Sequence, residues 1–487
     1  MSSDPKKPVC LAPESVWDYV ELAAIDIQDK RFELANSFSS RALLLNPFSG
    51  EVHAALALKA INAGEHHLAR EWLSRAIALD PSHRGCHLDL GLTYEITDDP
   101  ARALRLYMRE SSLSPADPAP HFNSGNVAMA AGEPTQSALC YDRAIELGMQ
   151  STGLIKSAAI AHLMAGSFGR GWALYESRFL SSDLKTVDRH RTLSSKNPPV
   201  RGSLSAYKTA SVLVWPEQGV GDEIMFGSML GEFRQQVGQL LVQLDRRLIP
   251  LFKRSLPSDI TFFERGTKVP EEMYDTHIAI GSLGQHLRPS IEAFRAKGGR
   301  YLLADPRRVR QFREWLDSKK EGQIVVGLSW LSSNADTGST RSIPLSAIVQ
   351  SLHDPGVKFV NLQYGSVNDE LELISRKSDV EIVTPPNLDL TNDLDGLAAL
   401  IEACDEVVSI GNATAHLAGA LGKRTKVLLP RLGVRTKGGG VMPGWRWLGY
   451  LGSCLWYDSV ELRRWHEWER DWTGVLSRLR VEGLRRS

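Results

Sequence analysis

The N-terminal third of the chain repeats one pattern of apolar and polar positions at a fixed interval. Three similar phrases end in proline, at Pro47, Pro81 and Pro115, and these prolines are 34 residues apart. Small residues keep the same interval, at Ala23, Ala57, Gly91, Gly125 and Ala159. Because two helices approach closely only where a small residue separates them, this recurrence predicts a series of paired helices.

A 34-residue period of helix pairs is typical of tetratricopeptide repeats. We therefore predict an α-solenoid over residues 16–185, in which the last unit, 152–185, departs most from the pattern. Such arrays bind a peptide or another protein, so a protein partner is expected here. A spacer or an oligomerisation arm without a ligand of its own would have the same period. Residues 1–15 form a predicted N-terminal tail, and residues 186–208, which contain Pro-Pro and several serines, a predicted linker.

Beyond the linker, short apolar runs rich in β-branched residues alternate with helical patterns, which predicts parallel α/β structure. Ala210–Trp215 and Ile324–Trp330 are such runs, and a loop rich in Gly or Ser follows each of them. We predict two successive Rossmann-like halves, at residues 209–305 and 306–475.

The stretch after Ser459 carries apolar and charged residues in a helical pattern. It predicts an amphipathic helix that packs back across the halves, because its charges are too mixed in sign for a membrane surface. Residues 476–487 form a predicted basic tail.

Composition excludes some classes of function. Lys+Arg and Asp+Glu both number 57, so no net charge favours nucleic acid or an anionic membrane. The five cysteines are scattered without metal-binding or redox spacing, which favours reduced thiols and a cytoplasmic location. No apolar run reaches the roughly 18–20 residues needed to span a bilayer.

The first candidate site follows the first strand of the α/β region. Gly219 and Gly221 would let the backbone approach a ligand, at the strand end where open α/β sheets bind ligands. Asp222 lies at the start of the next helix, where it could act as a general base or simply cap the helix.

The second candidate site lies in the second half. Arg341 follows the strand Ile324–Trp330 in a loop of Ser, Thr, Asn and Gly residues, and a guanidinium suits phosphate oxygens. A solvated arginine in a surface loop is the plainer interpretation. Gln363 adds a polar group at the end of the next strand.

A third group of polar residues, Asn412, Thr414 and His416, begins a small-residue helix after the strand Glu406–Ile410. Free amide groups and the positive end of the helix dipole favour an anion at such a position. An ordinary βαβ unit in which Asn412 only caps the helix would contain the same residues.

Five phrases follow in order along the α/β region: WPEQGVGDEIMF at Trp215–Phe226, STRSIPL at Ser339–Leu345, NLQYG at Asn361–Gly365, DLTNDLDGLAALI at Asp389–Ile401 and NATAHLAGALGK at Asn412–Lys423. Together with the repeats and the phrase GWALYESRF, they resemble bacterial tetratricopeptide-repeat glycosyltransferase-like proteins. The C-terminal part of those proteins is similar to the heptosyltransferase-type GT-B fold. The resemblance covers most of the chain from Trp172 to Trp472.

The resemblance implies a role for each matching residue. Asp222 corresponds to the general base, and Gln363 to a contact with the nucleotide base or ribose. Ser329, Arg341, Thr414 and His416 correspond to positions that hold the donor diphosphate. We expect Gly219, Gly221 and Asn412, from the first and third candidate sites, to take part in substrate or donor binding as well. Heptosyltransferases carry an acid five residues before the helix histidine, whereas this chain has Gly411 there.

We therefore expect a metal-independent glycosyltransferase that moves a sugar from a nucleotide-diphosphate donor to a protein held by the repeats. Flagellin or another surface protein is the expected acceptor. The nucleotide sugar is a substrate, and no cofactor is expected. Two alternatives stay open, namely a non-catalytic repeat scaffold with a vestigial nucleotide-sugar-binding module, and a transferase directed at a saccharide or lipid.

Overall fold

The computed structural model describes residues 15–29, 31–97, 99–180, 193, 196–319, 322–334, 338–378, 380–430, 434–435, 441–442, 444–450, 453–465 and 471–481. The predicted tail up to residue 14, part of the predicted linker and the last six residues of the predicted basic tail lie outside these ranges. The chain forms two compact units. The first runs to residue 128 and includes 139–150, and the second contains 129–138 and the chain from residue 151 onward.

Paired helices make up the first unit, and they pack as α1 with α2, α3 with α4 and α5 with α6. The helix pairs predicted from the 34-residue period are therefore confirmed. The helices are α1 (Val16–Gln28), α2 (Phe32–Leu45), α3 (Gly50–Asn62), α4 (His66–Leu79), α5 (Cys86–Ile96), α6 (Pro100–Leu113), α7 (Ala119–Ala130) and α8 (Pro134–Glu146), of which α7 and α8 cross the boundary between the units.

The recurring small position lies where a neighbouring ring packs against the helix. A Cβ on Gly91 would lie 2.5 Å from Cε1 of Tyr107, and one on Gly125 would lie 2.5 Å from Cε1 of Tyr141. In the preceding repeat the corresponding small residue is Ala57. The residue 16 positions later, which corresponds to Tyr107 and Tyr141, is Leu73. At Gly91 and Gly125 the tyrosine ring therefore takes the space that a methyl group would need.

From residue 151 onward, the second unit contains the helices α9 (Thr152–Met164) and α10 (Phe168–Tyr175), followed by a 3₁₀ turn at Glu176–Phe179. These residues share a core with the α/β region. The indole nitrogen of Trp172 donates a hydrogen bond of 2.8 Å to the backbone oxygen of Arg288. The least regular of the predicted repeat units thus belongs to the C-terminal unit.

The first α/β half is a parallel four-stranded sheet in the order β3-β2-β1-β4. Its strands and helices are β1 (Ser211–Trp215), α11 (Val220–Gly227), α12 (Leu230–Arg234), β2 (Gln239–Leu244), α13 (Ile249–Ser255), β3 (Thr261–Glu264), β4 (Thr276–Ala279), α14 (Leu283–Leu287) and α15 (Ile291–Arg295). β1 lies between β2 and β4 in this sheet. The glycine turn that follows β1 therefore lies at the carboxyl edge of the sheet.

The second half contains an eight-stranded sheet in the order β12-β13-β14-β9-β8-β5-β6-β7, parallel from β14 to β7. Its elements are α16 (Pro306–Asp317), β5 (Ile324–Ser329), α17 (Gly338–Arg341), α18 (Leu345–Leu352), β6 (Val357–Asn361), α19 (Asn368–Lys377), β7 (Ile382–Val383), α20 (Leu394–Ala403), β8 (Glu406–Ile410), α21 (Ala413–Ala420), β9 (Thr425–Leu429), β10 (Val434–Arg435), β11 (Val441–Met442), β12 (Gly449–Tyr450), β13 (Ser453–Cys454), β14 (Val460–Arg464) and α22 (Thr473–Ser477). The predicted α/β character is confirmed.

The amphipathic helix predicted after Ser459 is wrong for its first residues. Val460–Arg464 forms β14, which pairs in parallel with β9. Val460 and Leu462 are buried, so the burial alternates with the period of two that a strand requires. A five-residue strand is too short for this period to outweigh the helical pattern of the longer stretch.

In the described ranges, no helix combines the length and the apolar character that a membrane crossing requires.

The contact between Gly125 and Tyr141 gives a test of the repeat packing. Gly125→Ala should lower the free energy of unfolding of the first unit by about 1–3 kcal/mol, because the new methyl group overlaps the tyrosine ring. Urea unfolding followed by circular dichroism measures the change.

The same substitution should cost much less in a Tyr141→Leu background, where the ring is gone. Gly153→Ala is the matched control, because a Cβ on Gly153 would meet no atom within 4 Å. Equal costs in the wild-type and Tyr141→Leu backgrounds would contradict this account of the repeat.

Candidate functional site

Asp222 caps the helix that follows the glycine turn. It is the third residue of α11, and its Oδ2 accepts a hydrogen bond of 3.3 Å from the backbone nitrogen of Gly219. The residue is 8% exposed. The carboxylate thus satisfies one of the free amide groups at the helix start, while its other oxygen remains available for a second partner.

That second partner is Arg446, which lies after the sheet strand β9. Its Nε donates to Oδ1 of Asp222, and the two side chains form an ion pair. Nη2 of Arg446 donates to Oε1 of Gln218 at 2.6 Å, and Nε2 of Gln218 donates to the hydroxyl of Tyr175 at 2.6 Å. A continuous hydrogen-bonded chain therefore joins α10 to Asp222.

Gly221 lies where the first half meets the second. A Cβ at this position would be 3.2 Å from Cδ2 of His416 and 3.6 Å from Cα of Ala413. Even an alanine would require the His416 ring to shift by a few tenths of an ångström, so the glycine allows the two helix N-termini to pack closely here. Asp222 is brought beside α21 by the same contact.

His416 is buried in an aromatic setting. Its ring stacks on Trp447, with centroids 4.1 Å apart and planes 13° apart, and its Nδ1 lies 3.1 Å from the hydroxyl of Tyr457. Burial, together with the charges of Arg446 and Arg341, lowers the pKa of His416 to about 3. The imidazole is therefore neutral at physiological pH.

Thr414 carries a hydroxyl that lacks a partner. The residue is 1% exposed, and among the described residues Oγ1 has no hydrogen bond. It lies in the first turn of α21, where backbone amide groups also point toward the helix start. A buried hydroxyl of this kind is satisfied when an anion or a water binds there.

Three of the predicted site residues hydrogen-bond to one another. Oγ of Ser329 donates to Oε1 of Gln363 at 3.0 Å and accepts from Nδ2 of Asn412 at 2.8 Å. Asn412 also accepts from the backbone nitrogen of Ala415 as the N-cap of α21. The amide oxygen of Gln363 further accepts from two backbone nitrogens after β5. These groups join three strand ends, and the role of Gln363 toward a nucleotide stays a prediction.

Arg341 is partly buried at the end of α17 and approaches no carboxylate closely. Among the residues that the structure describes, its guanidinium has neither a hydrogen bond nor an ion pair. Burial lowers its pKa, with a further contribution from the charge of Arg446. The charge of Asp222 acts on the pKa of Arg341 in the opposite direction. Two guanidinium groups against one carboxylate leave a net positive charge, which attracts an anion.

A cavity of about 40 Å³ that opens to solvent brings Arg341, His416 and Arg446 together, whereas Asp222 and Thr414 lie outside its lining. Its lining consists of cationic, aromatic and small residues: Arg341, Gly411, His416, Leu429, Pro430, Gly444, Trp445, Arg446, Trp447 and Arg464. Three arginines and two tryptophans suit a ligand with negative charge and a planar or apolar part.

Gly411 is small because Trp447 occupies the adjacent space. A Cβ at this position would lie 2.6 Å from Nε1 of Trp447 and 2.8 Å from Cδ2 of Leu429. An acid at residue 411 would therefore require Trp447 to move. The indole of Trp447, which stacks on His416, therefore leaves room only for a small residue at position 411.

The sequence prediction missed the residues that complete the cavity. Arg446 lies between Trp445 and Trp447, and this alternation of cation and aromatic ring in the phrase GWRW was a signal that could have identified it. Tyr175 and Gln218 had no such signal, because only the fold brings them to Arg446. Within the described ranges, no cluster of three His, Cys, Asp or Glu residues could hold a metal ion.

No family model matches the chain. A curated relative, Protein FlbA of Caulobacter vibrioides (strain ATCC 19089 / CIP 103742 / CB 15), is 36% identical over 276 residues. The match covers 53% of this chain and 45% of FlbA, so the chain spans less than half the length of that relative.

Several solved structures are similar to part of the chain. MamA has a TM-score of 0.31 at 15% identity and covers 39% of this chain and 99% of its own. PilF of Pseudomonas aeruginosa has a TM-score of 0.31 at 20% identity and covers 36% and 79%. YrrB, described as a TPR protein with an unusual peptide-binding site, has a TM-score of 0.30 at 14% identity and covers 37% and 92%.

The buried neutral His416 should make the second unit less stable in acid. Its pKa is about 3 in the folded state, against 6.5 in the unfolded chain, so only the unfolded state gains a proton as the pH falls. The contribution of His416 is complete above about pH 6.5, and below it decreases by up to about 1.4 kcal/mol per pH unit.

Urea unfolding at pH 7.5 and pH 5, followed by tryptophan fluorescence, measures this slope. Ten of the twelve tryptophans lie after residue 150, so the signal reports mainly on the second unit. His416→Gln should flatten the slope, whereas His353→Gln, at an exposed position, should leave it unchanged. A slope in His416→Gln equal to that of the wild type would show that the histidine is not the titrating group.

Proposed function

We propose that the second unit is a GT-B-type glycosyltransferase that uses a nucleotide-diphosphate sugar, and that the repeats hold a protein acceptor. One observation carries the proposal, namely the arginine-lined cavity of the second α/β half, whose Arg446 pairs with the buried carboxylate of Asp222 from the first half. The crevice outside the carboxyl ends of parallel strands is a common ligand site.

The donor diphosphate would bind where Arg341 and Arg446 face the cavity. Among the described residues, Arg341 makes no ion pair and the Thr414 hydroxyl has no hydrogen-bond partner. A diphosphate supplies both, because its oxygens accept bidentate hydrogen bonds from guanidinium groups and single ones from hydroxyls. Trp445 and Trp447 offer apolar surface to the rest of the donor.

In the proposed reaction, Asp222 accepts the proton of an acceptor hydroxyl as the hydroxyl oxygen bonds to the anomeric carbon. The bond from that carbon to the phosphate oxygen breaks, and the nucleoside diphosphate leaves with the electron pair. Arg341 and Arg446 would neutralise the charge that develops on this leaving group, which is the part a metal ion has in other transferases.

The acceptor in this proposal is a protein, with flagellin or another surface protein as the expected class. Support comes from the paired helices α1 to α6, because arrays of this architecture present extended surfaces that bind peptides. A saccharide or lipid acceptor would leave the repeats to assemble a complex.

A second candidate function is a non-catalytic scaffold that binds a nucleotide sugar. Two observations favour it: the ion pair with Arg446 engages the proposed base, and Trp447 fills the space beside Gly411. Both candidates require the anion site, and only the first requires turnover.

Arg341→Ala should weaken the binding of nucleoside diphosphates about tenfold or more, because it removes an unpaired guanidinium from the cavity. Isothermal titration with a panel of nucleoside diphosphates measures the affinity. Arg376→Ala is the control, since Arg376 is exposed and pairs with Glu372 on α19. Equal affinities for the wild type and Arg341→Ala would rule out this cavity as the donor site.

Asp222→Asn should lower transfer at least about a hundredfold without weakening donor binding, because the amide cannot accept the proton. A strain that lacks the chain is complemented with the wild type or a variant, and the intact masses of its surface proteins are compared. Asp259→Asn is the control, since this exposed carboxylate pairs with Arg234 outside the cavity lining.

The wild type and Asp259→Asn should restore the sugar masses, and Asp222→Asn should not. Full restoration by Asp222→Asn would show that Asp222 is not the base. If deletion itself changes no mass, the protein-directed transferase is excluded.

A further inference from the structure

The guanidinium of Arg446 takes part in both the ion pair with the proposed base and the lining of the cavity. It forms the ion pair with Asp222, and it also lines the cavity together with Arg341. Its Nε and Nη2 are bonded to Asp222 and Gln218, and among the described residues Nη1 has no hydrogen bond. A ligand in the cavity therefore meets a cation that is already partly neutralised.

The position of Arg446 is fixed from the side of the glycine turn. Gln218 donates to the Tyr175 hydroxyl, and Tyr175 packs at 5.3 Å from Trp445 between ring centroids. The residue before Gln218, Glu217, accepts two hydrogen bonds from Arg178, of 2.6 and 3.0 Å. The turn that holds Gln218 is therefore anchored by the segment after α10, and the Gln218 amide oxygen keeps Arg446 beside Asp222.

Asp222 and a bound diphosphate would each bind the guanidinium of Arg446. Asp222 accepts a charge-assisted hydrogen bond on Oδ1 from Arg446 and a hydrogen bond on Oδ2 from the backbone nitrogen of Gly219. Both carboxylate oxygens are therefore engaged, and an acceptor hydroxyl can reach Oδ1 only when Arg446 leaves it. A diphosphate carries more negative charge than one carboxylate and can take the same guanidinium bidentately.

We propose that Asp222 and the donor diphosphate compete for Arg446, so that the base is masked until the donor binds. Donor binding draws Arg446 toward the cavity and releases Oδ1 of Asp222 for the acceptor hydroxyl. Gln218 is a positioning residue in this device, because it holds Arg446 within reach of both anions. The inference rests on the proposed function. It adds an order of events, in which the donor binds before Asp222 activates the acceptor hydroxyl.

The test is a thermodynamic cycle with inorganic pyrophosphate as the probe, in metal-free buffer at fixed ionic strength, by isothermal titration. Asp222→Asn removes the competing charge and should tighten pyrophosphate binding about five- to tenfold. Gln218→Glu places a second carboxylate on the same guanidinium and should weaken binding by a similar factor. Circular dichroism checks that each variant is folded, and Asp259→Asn serves again as the matched control.

Arg446→Gln distinguishes competition from simple repulsion between Asp222 and the probe. If the two anions compete for Arg446, Asp222→Asn and Gln218→Glu should each change the affinity less than twofold in the Arg446→Gln background. Undiminished effects in that background would overturn the inference, as would an Asp222→Asn variant that binds pyrophosphate no more tightly than the wild type.

The outcomes separate this inference from the proposed function. Pyrophosphate that fails to bind the wild-type protein would refute the anion site, and the inference with it. Pyrophosphate binding with the predicted cycle, in a protein that transfers no sugar, would support the competition for Arg446 and refute the transferase.

Discussion

The close approach of two helix N-termini at Gly221 is the constraint on which the candidate site depends. A Cβ at Gly221 would lie 3.2 Å from Cδ2 of His416, so even an alanine would require the packed imidazole to shift by a few tenths of an ångström. This contact brings Asp222, from the first α/β half, beside the cavity of the second half. It also buries His416, which keeps the imidazole neutral and leaves the arginines as the source of positive charge.

A second set of contacts keeps the cavity in shape. Ser329, Gln363 and Asn412 hydrogen-bond to one another at the ends of β5, β6 and β8, so their polar groups are satisfied without a ligand. Thr414 and Arg341 have no such partner among the described residues. Polar residues at one sheet edge thus divide into those that hold the backbone and those that are free to bind an anion.

Much of this fold could be predicted from the sequence, because the signals were local. The 34-residue spacing of small residues predicted the helix pairs, and the apolar run Glu406–Ile410 predicted β8 with the same bounds. The site was only partly predictable. Arg446 and Tyr175 lie 224 and 47 positions from Asp222, and only the packing of α10 and of the residues after β9 brings them together. The strand Val460–Arg464 was missed because its pairing with β9 is a long-range contact.

The central claim is that the arginine-lined cavity of the C-terminal unit binds the diphosphate of a nucleotide. The most direct measurement is a crystal structure of the protein with uridine diphosphate as the probe. The account predicts phosphate oxygens within hydrogen-bond distance of Arg341, Arg446 and the Thr414 hydroxyl, with Arg446 turned from Asp222. A nucleotide bound elsewhere, or phosphates that leave the Arg446–Asp222 ion pair unchanged, would contradict it.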